Sequence, residues 1–365
     1  MKTPADKFAV DSTFWKDKRV FITGHTGFKG SWLALWLNSL GACVVGYSRK
    51  PNTHPSVYQA LAMDCVCDGC IGNIRDLPTL TSCMENAKPD IVFHLAAQAL
   101  VRESYKEPIE TLDTNIIGTA NVLEVCRTAK PKAVVVITSD KCYENKEWIW
   151  PYRENEPLGG HDPYSASKAC AEIIAAAYRD SYLREQGIHL ASARAGNVFG
   201  GGDWSKDRLI PDAARAFSKG EAITLRMPGA VRPWQHVAEP LQGYLMLARA
   251  LVQEGDAFAE GFNFGPPTHT MHTVQDVVDW FAQAWGGKAE CRAEQNKDAL
   301  HEATLLMLDS SKAHHRLGWR PQTNVHWGIQ VTAEWYKAFY EQASVETMRD
   351  LALKQIREVN QNNDG

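Results

Sequence analysis

Apolar positions along this chain fall into two alternating patterns. Short, near-continuous apolar runs occupy residues 19–23, 42–47, 90–95, 132–138 and 188–193, with a weaker one at 64–71. Between them lie longer segments with apolar residues every three to four positions, at 31–37, 76–87, 116–129 and 163–184. The first pattern predicts strands buried on both faces and the second predicts helices with one apolar side. Their alternation through short turns predicts an α/β fold built on a doubly wound parallel sheet. A polar lead-in over 1–18 precedes the first strand, with Phe14 and Trp15 placed to pack beside it. After Arg194 the alternation breaks into short elements and glycine-rich loops. Residues 1–195 are therefore read as one domain, with a return to it around 231–252. Residues 196–358 are read mostly as a smaller, mixed α/β substrate lobe, ending in surface helices over 327–358. The polar stretch 359–365 is expected to fray.

Length and charge narrow the class. The 365 residues suffice for a large core and two lobes. A formal net charge of −4 leaves no basic surface for nucleic acid or an anionic membrane. With no apolar run of about eighteen residues and a polar start, a cytoplasmic protein without membrane contact is expected. Nine scattered cysteines, an odd number, point to reduced thiols. Cys65, Cys67 and Cys70 cluster, but no second Cys pair or spaced His pair completes a tetrahedral set, so no metal is expected.

The chemistry begins where the first apolar run meets Gly24-His25-Thr26-Gly27-Phe28-Lys29-Gly30. A strand, a glycine turn and a helix in that order form a phosphate-binding loop of the Rossmann type. Gly24 permits the turn, Gly27 leaves room for a pyrophosphate, and Gly30 lets helix and strand approach closely. Free N–H groups and the helix dipole then face the anion. Gly24, Thr26, Gly27, Phe28 and Gly30 are the candidate cofactor contacts in this loop. An acidic residue often follows the second strand to hold ribose hydroxyls, yet Ser48-Arg49 stands here. An arginine also suits a 2′-phosphate, so these residues admit NAD or NADP.

Asp162-Pro163-Tyr164-Ser165-Ala166-Ser167-Lys168 opens the helix over 163–184, with Asp162 as its cap and Pro163 in the first turn. Tyr164 and Lys168 are four apart and share a face. An ammonium beside a phenol favours the phenolate, so Lys168 is expected to lower the tyrosine from its usual value of about 10. Such a phenolate can take a proton from a sugar hydroxyl as hydride leaves the same carbon. Ser139, Asp140 and Lys141 follow the strongest apolar run, at the strand end where open α/β sheets place ligands.

Together these stretches resemble the extended short-chain dehydrogenase/reductase family, and the resemblance covers most of the chain. It rests on Thr23–Gly30, on Tyr164 with Lys168, on His94-Leu95-Ala96-Ala97-Gln98, and on the C-terminal segments 309–313 and 317–321. The hydroxyl, acid and base at 139–141 are similar to those of the family's 4,6-dehydratases. Longer strings at 24–32, 138–145, 159–168, 194–204 and 232–237 resemble members acting on CDP-glucose. The resemblance implies an NAD-dependent lyase in which Tyr164 takes the 4-hydroxyl proton, Lys141 the C5 proton, and Asp140 protonates the departing 6-hydroxyl. It implies cofactor contacts at Arg49, Asn73, Ile74, Leu95, Ala96 and Ala97, besides Tyr164 and Lys168. Substrate contacts are implied at Gln98, Asn197, Arg208, Leu209 and Arg232, and a homodimer is implied as the assembly. The lysine at 141 replaces the glutamate of relatives acting on other nucleotides, and a lysine base must be neutral to act. Another nucleotide-sugar 4,6-dehydratase, a 4-epimerase, and a non-catalytic NAD(P)-sensing protein are the competing readings.

Overall fold

A computed structural model describes residues 4–268, 270, 272–287, 289–293 and 305–361. Seven parallel strands form the central sheet: β1 (Arg19–Thr23), β2 (Cys43–Ser48), β3 (Asp68–Ile71), β4 (Ile91–His94), β5 (Ala133–Ile137), β6 (His189–Ala195) and β7 (Gly261–Phe264). Their order is β7-β6-β5-β4-β1-β2-β3, so the winding direction reverses between β1 and β4. That reversal opens a crevice at the carboxyl ends of the strands.

Alternation along each strand divides the core. Phe21, Val92, Val134 and Val136 face one side, which is covered by α2 (Leu77–Ala87), α3 (Gly118–Ala129) and α4 (Pro163–Tyr178); the intervening helix α1 (Phe28–Ser39) lies opposite. Ile22, Phe93, Val135 and Ile137 face α1 and the later helix α6 (Ala238–Glu254), whose predecessor α5 (Leu209–Ser218) belongs to the smaller lobe. Each such buried aliphatic side chain contributes roughly 1.5–3 kcal/mol. Helix α1 is apolar all round, with Trp32, Leu33, Trp36 and Leu37 fully buried, because the sheet lies on one side and further helices on the other. Trp15 is buried against Phe93, as the lead-in pattern suggested.

The smaller lobe gathers α5, α7 (Val274–Trp285) and α8 (Val325–Tyr340) with short strand pairs such as Ile223–Leu225 beside Cys291–Ala293. The chain comes back to the sheet through α6, which overlaps the stretch 231–252, and continues into β7 beyond it. The last two helices keep one exposed face, with Glu334, Glu346, Asp350, Lys354 and Arg357 at the surface, and bury the other. Trp335 and Tyr336 of α8 are fully buried, and α9 (Val345–Gln361) packs on α1 and α6 through Ala352, Ile356 and Val359. Of the expected frayed tail, 359–361 are helical and Asn360 donates to the Val10 carbonyl at 2.8 Å; 362–365 lie outside the described residues. The thiols are not all reduced, since Cys70 at the end of β3 and Cys83 in α2 form a disulfide. The strand and the helix covering it bring together two cysteines whose sequence spacing carries no such signal.

Candidate active site

The loop after β1 is shaped by what its glycines lack. Gly24 has a φ of +81°, and a Cβ there would come within 2.7 Å of the Ala96 amide on the neighbouring strand end. A Cβ on Gly30 would overlap the Gly24 carbonyl, so the first turn of α1 can close on β1 only with glycine there. The Gly24 amide donates to Tyr47 O and its carbonyl accepts from Gly27, which leaves the first N–H groups of α1 open to the cleft. Thr26 shares a 2.9 Å hydrogen bond with Ser48 and donates to the Arg49 carbonyl at 2.8 Å. The Arg49 guanidinium pairs with Glu110 at 3.0 Å, and Arg75 joins the same carboxylate at 2.6 Å. Asn73 and Ile74 continue this wall, with Asn73 capping the Arg75 amide.

Across the reversal point, Leu95 and Ala96 donate to Thr23, whose hydroxyl lies 2.7 Å from His94 Nδ1. Burial, then the Lys168 charge, pushes His94 down to about 3, so it is a neutral brace between Thr23 and Thr119. Gln98 lines the cleft, but its side chain is engaged by Leu100 and Thr111, and its own amide donates to Asn115. These bonds fix the loop after β4.

All five residues expected to do chemistry line one cleft of about 1290 Å³ that also contains the glycine loop. Ser139 donates to Asp140 Oδ1 at 2.7 Å and accepts from the Lys141 amide at 3.2 Å, which ties the turn after β5 together. Asp140 is 2 % exposed, and its Oδ2 has no hydrogen-bond partner among the described residues. Lys168 donates to the Ile137 carbonyl at 3.2 Å, and burial pulls its ammonium down to about 8 against the opposing charge of Glu172. Tyr164 behaves opposite to the sequence expectation. Burial pushes its phenol up to about 12, Asp140 adds to the rise, and the hydrogen bond with Ser139 and the Arg208 charge pull it back. The ammonium of Lys168 is engaged with the Ile137 carbonyl, so the cation that favours the phenolate in the ligand-free cleft is Arg208.

On the opposite wall, Arg208 stands just before α5 and is gripped at 2.7 Å by Asp203, itself 3 % exposed. Leu209, Asn197 and Arg232 line the same space. Trp204 lies elsewhere, packed on Trp335, Tyr336 and Phe339, while Trp234 reaches the cleft. Two cleft residues escape a reading of motifs. Asp203, in the 194–204 string that carried part of the resemblance but no assigned role, positions Arg208. Lys29 lines the cleft from within the glycine loop, where burial, then Arg208 and Lys168, push it down to about 7. Lys29 lies in the 24–32 string that carried part of the resemblance, and its charge inside a glycine loop is the signal that could have singled it out.

A glycine cradle at a sheet reversal point, followed by a buried Tyr-Lys pair on α4, defines a dinucleotide-binding protein of the extended short-chain dehydrogenase/reductase type. Its family can be stated more closely: the GDP-mannose 4,6 dehydratase family matches residues 21–332, and the chain belongs to it. A relative from Salmonella typhimurium described as CDP-glucose 4,6-dehydratase is 50% identical over 340 residues, which is 90% of this chain and 93% of that protein. A dTDP-glucose 4,6-dehydratase from Streptomyces antibioticus is 28% identical, covering 73% of this chain and 75% of its own. Among solved structures, the UDP-glucose 4-epimerase of Thermotoga maritima with UDP-glucose matches with a TM-score of 0.76 at 23% identity, over 88% of this chain and 99% of that one. MoeE5 in complex with UDP-glucose and NAD matches with a TM-score of 0.74 at 25% identity, over the same shares.

Proposed function

We propose that this chain is a lyase that converts CDP-glucose to CDP-4-dehydro-6-deoxy-D-glucose and water, with NAD regenerated in each turnover, as a step of deoxysugar biosynthesis. The observation that carries this reading is the 50% identity, over 90% of the chain, to a CDP-glucose 4,6-dehydratase. The cleft supports it, because the Tyr164–Lys168 pair and the Ser139–Asp140–Lys141 turn line one space.

The residues present fit a dinucleotide. The cradle has bare backbone where a Cβ would intrude, and Ser48, Asn73 and Leu95 to Ala97 continue from it along the cleft. Glu110, already paired with Arg49, sets a negative charge beside the position a 2′-phosphate would take, which favours NAD over NADP. MoeE5, solved with NAD, lends the same support.

In this reading Tyr164 takes the proton of the sugar 4-hydroxyl, with Ser139 bonded to the phenol and Arg208 favouring its ionised form. Lys168, anchored on the Ile137 carbonyl, holds the cofactor ribose. NAD held by the glycine loop and Lys168 would supply the hydride chemistry between C4 and C6, which no side chain offers. Lys141 takes the C5 proton once the 4-ketone has made it acidic, and returns a proton to C5 as hydride reaches C6. Asp140 delivers a proton from Oδ2, the oxygen that makes no other bond, to the departing 6-hydroxyl. Arg208 and Arg232 bind the substrate pyrophosphate through charge-assisted bonds, and Asn197 through its amide. The protein works as a homodimer, joined through Ile109, Ile117, Ile173 and Tyr182, large apolar side chains left exposed on adjoining helical segments.

The test is incubation with NAD and CDP-glucose deuterated at C4, beside GDP-, dTDP- and UDP-glucose. Deuterium recovered at C6 of a 4-keto product, from the CDP sugar by preference, is the expected result. Preference for another nucleotide moves the substrate assignment; a C4-inverted sugar makes the chain an epimerase; no turnover with any of them favours a sensing role. Affinities for NAD and NADP read the cofactor choice directly.

A further inference from the structure

Glu172 lies one helical turn beyond Lys168 and two beyond Tyr164, so the three share a face of α4. It is 4 % exposed, and both carboxylate oxygens are fully used. Oε1 accepts from the Thr138 hydroxyl and from Arg194 Nε at 2.9 Å. Oε2 accepts from Ser192 at 2.6 Å and from Arg194 Nη2 at 2.8 Å. Thr138 directly precedes the Ser139–Asp140–Lys141 turn, and Ser192 and Arg194 belong to β6. Arg194 also donates to the Tyr143 hydroxyl at 2.7 Å and the Glu154 carbonyl at 3.1 Å. One carboxylate thus ties the helix bearing Tyr164 and Lys168 to the ends of β5 and β6.

Fold stability is a poor reason for such a pair, since well-packed apolar residues in place of a buried ion pair are often neutral or stabilising. The surroundings of Lys168 supply a better one. Around it are Glu172 one turn along its own helix, Cys142 in the turn after β5, His94 at the end of β4 and Lys29 in the glycine loop, with Asp140 in the same turn as Cys142 bearing on Tyr164 and Lys29. His94 is neutral, burial keeps the Cys142 thiol protonated, and Lys29 is a like charge. Glu172 is the carboxylate whose charge bears on Lys168.

We propose that Glu172 is a positioning residue for the reaction, holding Lys168 protonated and at a fixed depth against the Ser139–Asp140–Lys141 turn. This rests on the reading of Tyr164 and Lys168 as the reacting pair. Burial draws the lysine toward neutrality; the carboxylate opposes it.

The test compares Glu172→Gln, Glu172→Asp and Ser192→Ala with the unaltered protein by two measurements. One is the pH dependence of Lys168 labelling by a small amine-reactive reagent in the ligand-free protein, read by peptide mass spectrometry. The other is the pH profile of kcat/KM with CDP-glucose. Glu172→Gln should lower the Lys168 labelling midpoint by about one unit and move the alkaline limb of the profile down with it. Glu172→Asp and Ser192→Ala keep the charge and should leave the midpoint in place, the aspartate lowering kcat because the helix is no longer held at its depth. If Glu172→Gln reduces turnover evenly at every pH while the midpoint stays put, the carboxylate is only structural and the proposal falls. Should that variant unfold because Arg194 is left unpaired, Glu172→Gln with Arg194→Gln is compared with Arg194→Gln alone, a pair that differs only in the carboxylate, and equal midpoints overturn the proposal. Labelling needs no turnover, so failure of the proposed reaction and failure of this role are read separately.

Discussion

At the scale of single residues, environment decides what a motif can do. A Tyr-x-x-x-Lys spacing suggests a lysine that lowers its tyrosine, yet in the folded chain the phenol is pushed up to about 12. The phenol is therefore protonated at neutral pH before ligands arrive. A difference titration at 295 nm between the unaltered protein and Tyr164→Phe should show no phenolate step below about pH 11; a step near 8 would contradict this. The Phe variant itself should lose about a thousandfold in kcat, the usual range for a missing acid–base group. Lys141→Ala separates the two proton transfers. It should leave NAD affinity within twofold (about 0.4 kcal/mol) of the parent and abolish exchange of the C5 proton with solvent, and unchanged exchange would remove Lys141 from its role.

At the scale of elements, the β1–α1 turn carries the cofactor reading. The helix closes onto the strand because nothing projects from Gly30 toward the Gly24 carbonyl. Gly30→Ala should push the turn open, cutting NAD affinity by at least about tenfold, or 1.4 kcal/mol, and lowering the melting temperature. Calorimetric titration and a thermal melt check both, and unchanged affinity would show that the loop is not the pyrophosphate site. Asp162 shows a cap that was plain in the chain: its carboxylate accepts from the Ser165 amide at 2.9 Å and starts α4 where the motif said it would. Arg49 shows the reverse, because Glu110, which claims its guanidinium, lies on a helix far along the chain.

At the scale of the whole molecule, the proposed homodimer rests on exposed apolar residues. Ile173 is 56 % exposed on α4 and Ile109 68 % exposed nearby, a pair that a partner subunit would cover. Ile173→Asp should convert a dimer to a monomer in light scattering behind size exclusion, with the fold retained by circular dichroism. A parent protein that is already monomeric at micromolar concentration would reject the dimer outright. Among the described residues no helix is long and apolar enough to cross a membrane.

Local periodicity and short motifs suffice for the six strands up to β6, the helices α1 to α4, the glycine cradle and the Tyr164–Lys168 face, because each is set by residues within a turn or two of one another; the short helices Val101–Lys106 and Pro108–Leu112 carry no such signal. What a chain cannot display is which distant residues meet. β7 joins the sheet beside β6 through hydrogen bonds that no local pattern encodes, and α8 and α9 bury their apolar sides against partners far away in sequence. The same holds for the Cys70–Cys83 link, the Asp203 grip on Arg208 and the Glu172 hub. Each is a charge or thiol that reads as solvated until tertiary packing removes the water and leaves it one partner.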